Sequence, residues 1–174
     1  MNQLLPMKKS DFQNQAVIMC GISGSGKTHY ARQLEKEGYI ILSTDKLIWE
    51  KVGARLYKLS NEERKNLFKQ CNQEVRKKLV NLLQSGQKVV LDATHCKRAI
   101  RDEVRQICKK INVSPIFIYC SAEKEELWHR LSLRKGDSAD DLLVTEEQFS
   151  EYWNGFERPQ EDETDFIYKE LYPL

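Results

Sequence analysis

The sequence lacks any apolar run close to the roughly 20 residues that a membrane-spanning helix needs, so we expect no membrane segment. Its start, MNQLLPMKKSDFQNQ, lacks the apolar core of a secretory signal, and we expect a cytoplasmic protein. No Cys-x-x-Cys pair occurs, the three histidines are scattered, and zinc-ligand spacing is absent. We expect structural roles for all five cysteines: Cys20, Cys71, Cys96, Cys108 and Cys120.

An excess of one charge is also missing, because 28 basic and 26 acidic residues leave a net charge of +2. Taken alone, this total argues against a dedicated nucleic-acid or membrane-surface binder. The charges are unevenly placed, however: residues 64–110 hold 13 basic and 4 acidic residues, whereas residues 136–174 hold 2 basic and 12 acidic ones. The basic segment 64–110 is compatible with a polynucleotide partner. The acidic end is expected either to keep phosphate-rich ligands away or to pair with the basic helices.

Short apolar runs alternate with longer helical patterns along the chain. The apolar runs lie at residues 16–20, 39–42, 88–91, 115–120 and 166–168. The helical patterns cover residues 27–37, 60–86, 100–111, 121–134 and 145–153. This alternation predicts a three-layer α/β fold, a parallel five-stranded sheet with helices on both faces, and a ligand site beyond the carboxyl ends of the strands. The length and the 40% hydrophobic content predict one domain over residues 1–174.

One segment matches the phosphate-binding pattern G-x-x-x-x-G-K-[ST] completely. It consists of Gly21, Ile22, Ser23, Gly24, Ser25, Gly26, Lys27 and Thr28. The glycines allow backbone N–H groups to approach phosphate oxygens, and the helix that follows directs its positive end at them. Lys27 is predicted to reach the β- and γ-phosphates, and the Thr28 hydroxyl to ligate Mg²⁺. The pattern therefore predicts a site for a nucleoside triphosphate.

Two acidic residues follow the second and third apolar runs, at the same edge of the predicted sheet. Asp45 could accept the proton of an attacking hydroxyl, or it could cap or begin the next helix. Asp92 could hold Mg²⁺, or it could bond to nearby backbone. His95 could contact a substrate or complete the turn after the third strand, and we favour the turn.

Two arginines four residues apart, Arg130 and Arg134, fall on one face of the helix predicted over residues 123–134. Lys135 and Gly136 end that helix, so we expect a short helical lid over about 128–140. Such a lid would place both guanidinium groups on the γ-phosphate. The alternative is a solvated helix face balanced by acidic residues.

Four ordered blocks give the chain a resemblance to a known family: GISGSGKT at 21–28, STD at 43–45, LDATH at 91–95 and ELWHRLSLRKG at 126–136. From about residue 17 to 156 the chain resembles the small phosphate-loop (P-loop, Walker A) kinases related to the kinase domain of phage polynucleotide kinase, and more distantly the zeta toxins.

The resemblance implies a P-loop kinase fold with strand order 2-3-1-4-5. It also implies that Lys27 and Thr28 bind the phosphates of ATP and Mg²⁺, and that Asp45 is the general base. Arg130 and Arg134 would stabilise the transferring phosphoryl group. Two positions depart from the family pattern on the acceptor side. Ile48 stands where the polynucleotide kinase has a substrate-holding arginine, and His95 stands where an asparagine is common.

The leading hypothesis is an ATP-dependent kinase that phosphorylates a hydroxyl, with a polynucleotide 5′-hydroxyl as one candidate acceptor. The basic residues Lys97, Arg98, Arg101 and Arg105 favour that acceptor. The alternatives are a kinase for a sugar, nucleotide sugar or nucleoside, and a nucleotide-dependent switch. No obligate protein partner is expected. For the adenine, the segment 156–159 with Arg158 is a candidate contact.

Overall fold

The computed structural model describes residues 15–170, in which five parallel strands form one sheet. The strands are β1 (Ala16–Cys20), β2 (Ile40–Ser43), β3 (Val89–Asp92), β4 (Pro115–Ser121) and β5 (Phe166–Glu170). Their order is β2-β3-β1-β4-β5. The α/β class, the number of strands and the strand order are therefore confirmed.

Six α-helices and two short 3₁₀ segments connect the described strands. The helices are α1 (Lys27–Lys36), α2 (Thr44–Val52), α3 (Asn61–Gln84), α4 (Arg98–Lys110), α5 (Lys124–Ser132) and α6 (Glu146–Gly155). The 3₁₀ segments are Gly53–Lys58 and Ala139–Asp141. Capping boxes at Ser60 and Thr145 begin α3 and α6. None of the helices within residues 15–170 is both long enough and apolar enough to cross a bilayer.

Strand β1 is central, and all five of its residues are buried. Side chains alternate across a strand, so Val17 and Met19 pack with Ala31 and Leu34 of α1 on one face of the sheet. Ile18 faces the opposite cluster, which includes residues of α3 and α4. The sheet thus lies between two helical layers. Because the strands are parallel, the loops after β1, β2 and β3 meet at one edge.

The helix predicted over residues 121–134 is shorter than expected at both ends. It begins at Lys124 after the capping residue Glu123, because Ser121 is still the last residue of β4. The helix ends at Ser132, so Arg134 lies outside it. The Asp141 carboxylate accepts hydrogen bonds from the backbone N–H groups of Lys135 and Gly136, at 2.7 and 3.0 Å, and these bonds hold the chain away from a further helical turn.

The acidic end of the chain pairs with α4. Arg101 and Glu163 form a fully buried ion pair of 2.7 Å. Arg105 donates to Glu163 at 2.9 Å and to Asp165 at 2.8 Å. These bonds hold the segment before β5 against the end of the sheet. They confirm one of the two expected roles of the acidic segment, which is to pair with the basic helices.

Exposed pairs extend this contact. Arg98 donates to Asp162 at 2.6 Å, and the ammonium group of Lys97 lies 3.2 Å from a Glu157 oxygen. Lys97, Arg98, Arg101 and Arg105 are thus all neutralised within the chain. These pairs weaken the expectation that the four residues favour a polynucleotide partner, because a carboxylate of the same chain already lies beside each of them.

Candidate phosphate-binding and transfer site

The phosphate loop leaves β1 through Gly21, which has a φ of +145°. A Cβ atom there would lie 2.3 Å from the Cys120 carbonyl oxygen of β4, so only glycine fits without a shift of backbone. The Gly21 N–H donates to the Thr94 carbonyl oxygen at 3.0 Å. The loop is therefore fixed between the ends of β3 and β4, and α1 begins directly after it at Lys27.

Two buried polar groups of the loop indicate what it binds. Lys27 is only 8% exposed, and its ammonium group donates to the Ile22 carbonyl oxygen at 2.9 Å. Burial lowers the Lys27 pKa, and the Asp92 carboxylate opposes that shift. The Ser25 hydroxyl oxygen is buried without a hydrogen-bond partner in the described part of the chain. Such a group costs free energy unless a ligand satisfies it. Both groups fit a phosphate chain.

Thr28 and Asp92 form the candidate Mg²⁺ site. The Thr28 hydroxyl donates to the Asp92 carboxylate at 2.8 Å, and burial raises the Asp92 pKa. Within residues 15–170 no group of three or more His, Cys, Asp or Glu residues could hold a metal by itself. A hydroxyl with one carboxylate fits Mg²⁺ that takes its other oxygens from phosphates and water.

Asp45 lies in the first turn of α2, close to the phosphate loop. Ser43 is the residue that caps α2, since its side chain accepts from the Lys46 N–H at 3.3 Å. Asp45 is thus a first-turn acid and not the cap. Burial raises the Asp45 pKa, Lys27 opposes this shift, and Asp92 adds to it. The side chain still reaches solvent. An accessible carboxylate with a raised pKa can act as a proton acceptor.

The two predicted lid arginines reach different parts of the site. The Arg130 guanidinium donates to the Gly24 carbonyl oxygen of the phosphate loop at 3.2 Å and to Glu126 at 2.7 Å. Arg134 donates to the Leu142 carbonyl oxygen at 3.0 Å. Burial lowers the Arg134 pKa, and Asp141 and Asp45 oppose the shift. The arginines therefore do not share one helix face, because α5 ends before Arg134. Both nevertheless border the site.

The segment after α5 is held against the 3₁₀ segment Gly53–Lys58. The Tyr57 hydroxyl donates to the Gly136 carbonyl oxygen at 3.4 Å and accepts from the Leu143 N–H at 3.3 Å. Gly136 has a φ of +76°, and a Cβ there would meet the Leu143 side chain at 2.7 Å. Of the predicted lid, the residues up to Ser132 belong to α5, and the rest lies in the connection between α5 and α6. Sequence reasoning missed Tyr57, since its partners lie about 80 residues away.

His95 belongs to the core and not to the ligand site. Its ring is 5% exposed, and its Nδ1 donates to the Met19 carbonyl oxygen at 2.6 Å. Burial lowers the His95 pKa to about 4, so the ring is neutral near pH 7. Its φ of +45° makes the turn that brings Thr94 to Gly21. The structure thus favours the turn role that the sequence analysis preferred.

A cavity of about 460 Å³ opens beside the phosphate loop on the β4 side. Its walls include Ser25, Tyr119, Trp153, Phe156 and Arg158. The rings of Tyr119 and Phe156 are stacked with centroids 5.9 Å apart, and the Arg158 guanidinium lies 5.6 Å from the Trp153 ring centroid. The structure places the predicted Arg158 here. Sequence reasoning missed Tyr119, which looked like any other strand residue.

A family model described as an AAA domain matches residues 17–159 of this chain. No match is found among curated protein sequences.

Several solved structures are similar to the whole fold. A gluconokinase from Sinorhizobium meliloti 1021 has a TM-score of 0.61 at 19% identity, covering 89% of this chain and 81% of that chain. A sugar kinase from Janibacter sp. HTCC2649 has a TM-score of 0.65 at 20% identity, covering 90% and 85%. The Pnkp1/Rnl/Hen1 RNA repair complex has a TM-score of 0.62 at 17% identity, covering 80% and 43%. These likenesses show that the chain shares its fold with the two kinases and with a chain of the RNA repair complex.

Proposed function

The chain belongs to the AAA domain family, and from this premise we propose that it is an ATP-dependent kinase that phosphorylates a hydroxyl group. The observation that carries the proposal is the position of Asp45. The Asp45 carboxylate is accessible, and it lies close enough to Lys27 and Arg134 for both charges to lower its pKa. It stands at the edge of the sheet where the phosphate loop follows β1. A nucleotide-dependent switch has no use for a proton acceptor at this point.

The reaction assigns one task to each side chain. The Asp45 carboxylate takes the proton of the acceptor hydroxyl while that oxygen forms a bond to the γ-phosphorus. The bond from the γ-phosphorus to the bridging oxygen breaks, and ADP leaves with its electron pair. Lys27, Arg130 and Arg134 stabilise the charge on the phosphate oxygens. Thr28 and Asp92 would hold Mg²⁺, which supplies further positive charge to the phosphates.

The two sides of the phosphate loop have different tasks in this proposal. The cavity on the β4 side takes the nucleoside, because its aromatic rings and the Arg158 guanidinium offer flat stacking surfaces. The β2–β3 side takes the acceptor, because Asp45 and Asp92 lie there. This division follows from the sheet order, in which β1 and its loop lie between β3 and β4.

A small molecule is the favoured acceptor. The arginines and lysine at the start of α4 are neutralised by carboxylates of the same chain. A polynucleotide 5′-hydroxyl is the second candidate. The observation that favours it is the exposed face of α3, where Lys65, Lys69 and Lys77 have no ion pair within the described residues.

The test is a transfer screen with radiolabelled ATP over sugars, sugar acids, nucleosides, and 5′-hydroxyl DNA and RNA. We expect label on one acceptor class, complete loss in Lys27→Ala, and no loss in Lys36→Ala, which removes an exposed lysine of α1. A polynucleotide acceptor would lose affinity steeply as salt rises, whereas a neutral sugar would not. Phosphate release that needs no acceptor and survives Asp45→Asn would contradict the kinase and support a switch.

A further inference from the structure

Arg101 of α4 is fully buried, and its guanidinium bonds to three other residues. The Nε atom and one Nη atom donate to the two carboxylate oxygens of Glu163, at 2.9 and 2.7 Å. The other Nη atom donates to two backbone carbonyl oxygens, that of His95 at 3.2 Å and that of Glu157 at 2.9 Å. One edge of the guanidinium thus balances its charge, and the remaining nitrogen joins two stretches of backbone.

The two carbonyl groups belong to the segments that border the phosphate loop and the cavity beside it. The turn at His95 supports the phosphate loop, because the Thr94 carbonyl oxygen accepts from the Gly21 N–H at 3.0 Å. The second carbonyl group lies between Phe156 and Arg158, which line the cavity of about 460 Å³. One nitrogen of the guanidinium therefore joins the support of the phosphate loop to the wall of the cavity.

The cavity wall lies in the connection between α6 and β5, which forms neither helix nor strand. Such a connection takes its position from individual hydrogen bonds, because no regular ladder holds its backbone. The Glu157 N–H donates to the Cys96 carbonyl oxygen at 2.8 Å, beside the bond from Arg101. The bond of Arg98 to Asp162 lies at the surface, where solvent competes with it. The buried guanidinium therefore fixes the wall from the inside.

The charge pair itself does not explain why an arginine stands here. Moving both charges out of water costs free energy, and apolar side chains of similar volume are often as stable in such places. Apolar side chains could not, however, donate to the carbonyl oxygens of His95 and Glu157. A lysine could pair with Glu163, but it lacks the planar fork that bonds a carboxylate and two carbonyl groups together. The guanidinium adds a fixed geometry between the two segments.

We propose that Arg101 is a positioning residue for nucleotide binding, whose guanidinium sets the separation between the phosphate loop and the wall of the nucleoside cavity. It touches no ligand, because its side chain is 0% exposed. It acts through the backbone of the turn at His95 and of the segment that carries Phe156 and Arg158. The inference rests on the proposed function, since it takes this cavity as the site of the nucleoside.

The test compares two ligands that differ by the nucleoside, ADP and inorganic pyrophosphate, each with Mg²⁺. Calorimetry measures both affinities, so neither an acceptor nor transfer is needed. Because a base gains affinity by stacking on aromatic rings, we expect ADP to bind the wild-type chain roughly 10- to 100-fold more tightly than pyrophosphate. The ratio of the two affinities is the readout. A change in the folded fraction alters both affinities equally and leaves this ratio unchanged.

Two variants separate position from stability, and both should lower the melting temperature. Arg101→Lys keeps a cation beside Glu163 but loses the fork, so the preference for ADP should fall roughly tenfold. Glu163→Gln removes the partner's charge but leaves Arg101 its bonds to both carbonyl groups, so the preference should stay within about twofold of the wild type. Lys109→Gln removes an exposed cation of the same helix and should change neither the preference nor the melting temperature.

A double variant keeps the test decisive where a single variant does not fold. Arg101→Met combined with Glu163→Leu removes both charges and should recover much of the stability. Its preference for ADP should nevertheless be as low as in Arg101→Lys, because neither carbonyl group regains its donor. With an acceptor from the transfer screen, the double variant should raise the KM for ATP far more than it lowers kcat.

Two results would overturn the inference: the preference for ADP persists in Arg101→Lys and in the double variant, or it falls as far in Glu163→Gln as in Arg101→Lys. Either result would leave nucleotide binding and the kinase standing. Equal affinity of the wild-type chain for ADP and pyrophosphate would instead reject the nucleoside cavity, and with it both the proposed function and this inference.

Discussion

The Thr28 hydroxyl donates a hydrogen bond to the Asp92 carboxylate at 2.8 Å, across 64 residues of sequence. This bond joins the end of the phosphate loop to the end of β3. It places a hydroxyl and a carboxylate side by side next to Lys27, whose charge acts on the Asp92 pKa. The candidate Mg²⁺ site therefore exists as a preformed pair of oxygens.

Replacement of Asp92 should weaken the binding of Mg²⁺ at the site. Asp92→Asn keeps the shape but removes the charge, and we expect the Mg²⁺ concentration for half-maximal activity to rise roughly 10- to 100-fold. The measurement is a Mg²⁺ titration at fixed ATP. Asp137→Asn changes an exposed acid and should leave the titration unchanged. An unchanged titration in Asp92→Asn would remove Asp92 from the metal site.

Replacement of Asp45 should separate nucleotide binding from transfer. Asp45→Asn should lower kcat by about 10²- to 10⁴-fold and leave ATP affinity nearly unchanged, because only the proton acceptor is lost. Glu50→Gln, at an exposed acid of the same helix, is the control. Burial raises the Asp45 pKa above its ordinary 3.8, and the base must be deprotonated. The rate should therefore fall on the acid side, with a midpoint above that value. Full kcat in Asp45→Asn would show that the base lies elsewhere.

Arg134 should act mainly on the rate. Arg134→Ala should lower kcat by about 10²- to 10³-fold with a smaller change in ATP affinity, if its guanidinium meets charge that develops during transfer. Lys135→Ala removes a neighbouring exposed cation and should have little effect. Steady-state kinetics with ATP binding measured separately would check this. An equal loss of ATP affinity would assign Arg134 to ground-state binding.

The free energy of unfolding should decrease at acid pH because of His95. Its pKa is lowered by burial from 6.5 to about 4, so the unfolded chain binds more protons between these values. The contribution of His95 to the free energy of unfolding is fully present above pH 6.5. It is lost as the pH falls, and the loss reaches about 3 kcal/mol near pH 4. Denaturant unfolding at several pH values measures it. The exposed His129→Asn should keep the wild-type slope in this window, whereas His95→Asn should flatten it.

The buried pair of Arg101 and Glu163 should be sensitive to removal of either partner alone. Arg101→Met leaves a buried carboxylate and should cost about 3–5 kcal/mol of unfolding free energy. Replacing both with apolar residues should recover much of that loss. Arg98→Ala breaks an exposed pair with Asp162 and should cost under about 1 kcal/mol. Chemical denaturation measures the free energy of unfolding of Arg101→Met, of the double variant and of Arg98→Ala. A mild effect of Arg101→Met would mean that the pair does not hold the end of the sheet.

Much of the fold could be predicted from local sequence. The strand cores follow from apolar runs, as in β1, and two helix starts follow from the capping boxes at Ser60 and Thr145. The strand order came from the family resemblance, and the structure confirms it. The end of α5 could not be predicted, since it depends on Asp141, which lies beyond the helix. The roles assigned to the site residues stay predictions.

The phosphate loop is evident from the sequence alone, because the eight residues from Gly21 to Thr28 are consecutive and the phosphates are bound mainly by their backbone N–H groups. Which charged side chains are free to bind a ligand depends on the three-dimensional arrangement of the chain. The arginines of α4 look free in the sequence, yet carboxylates about 60 residues away neutralise them. Electrostatic pairing depends on distance in space, which the order of residues along the chain does not specify.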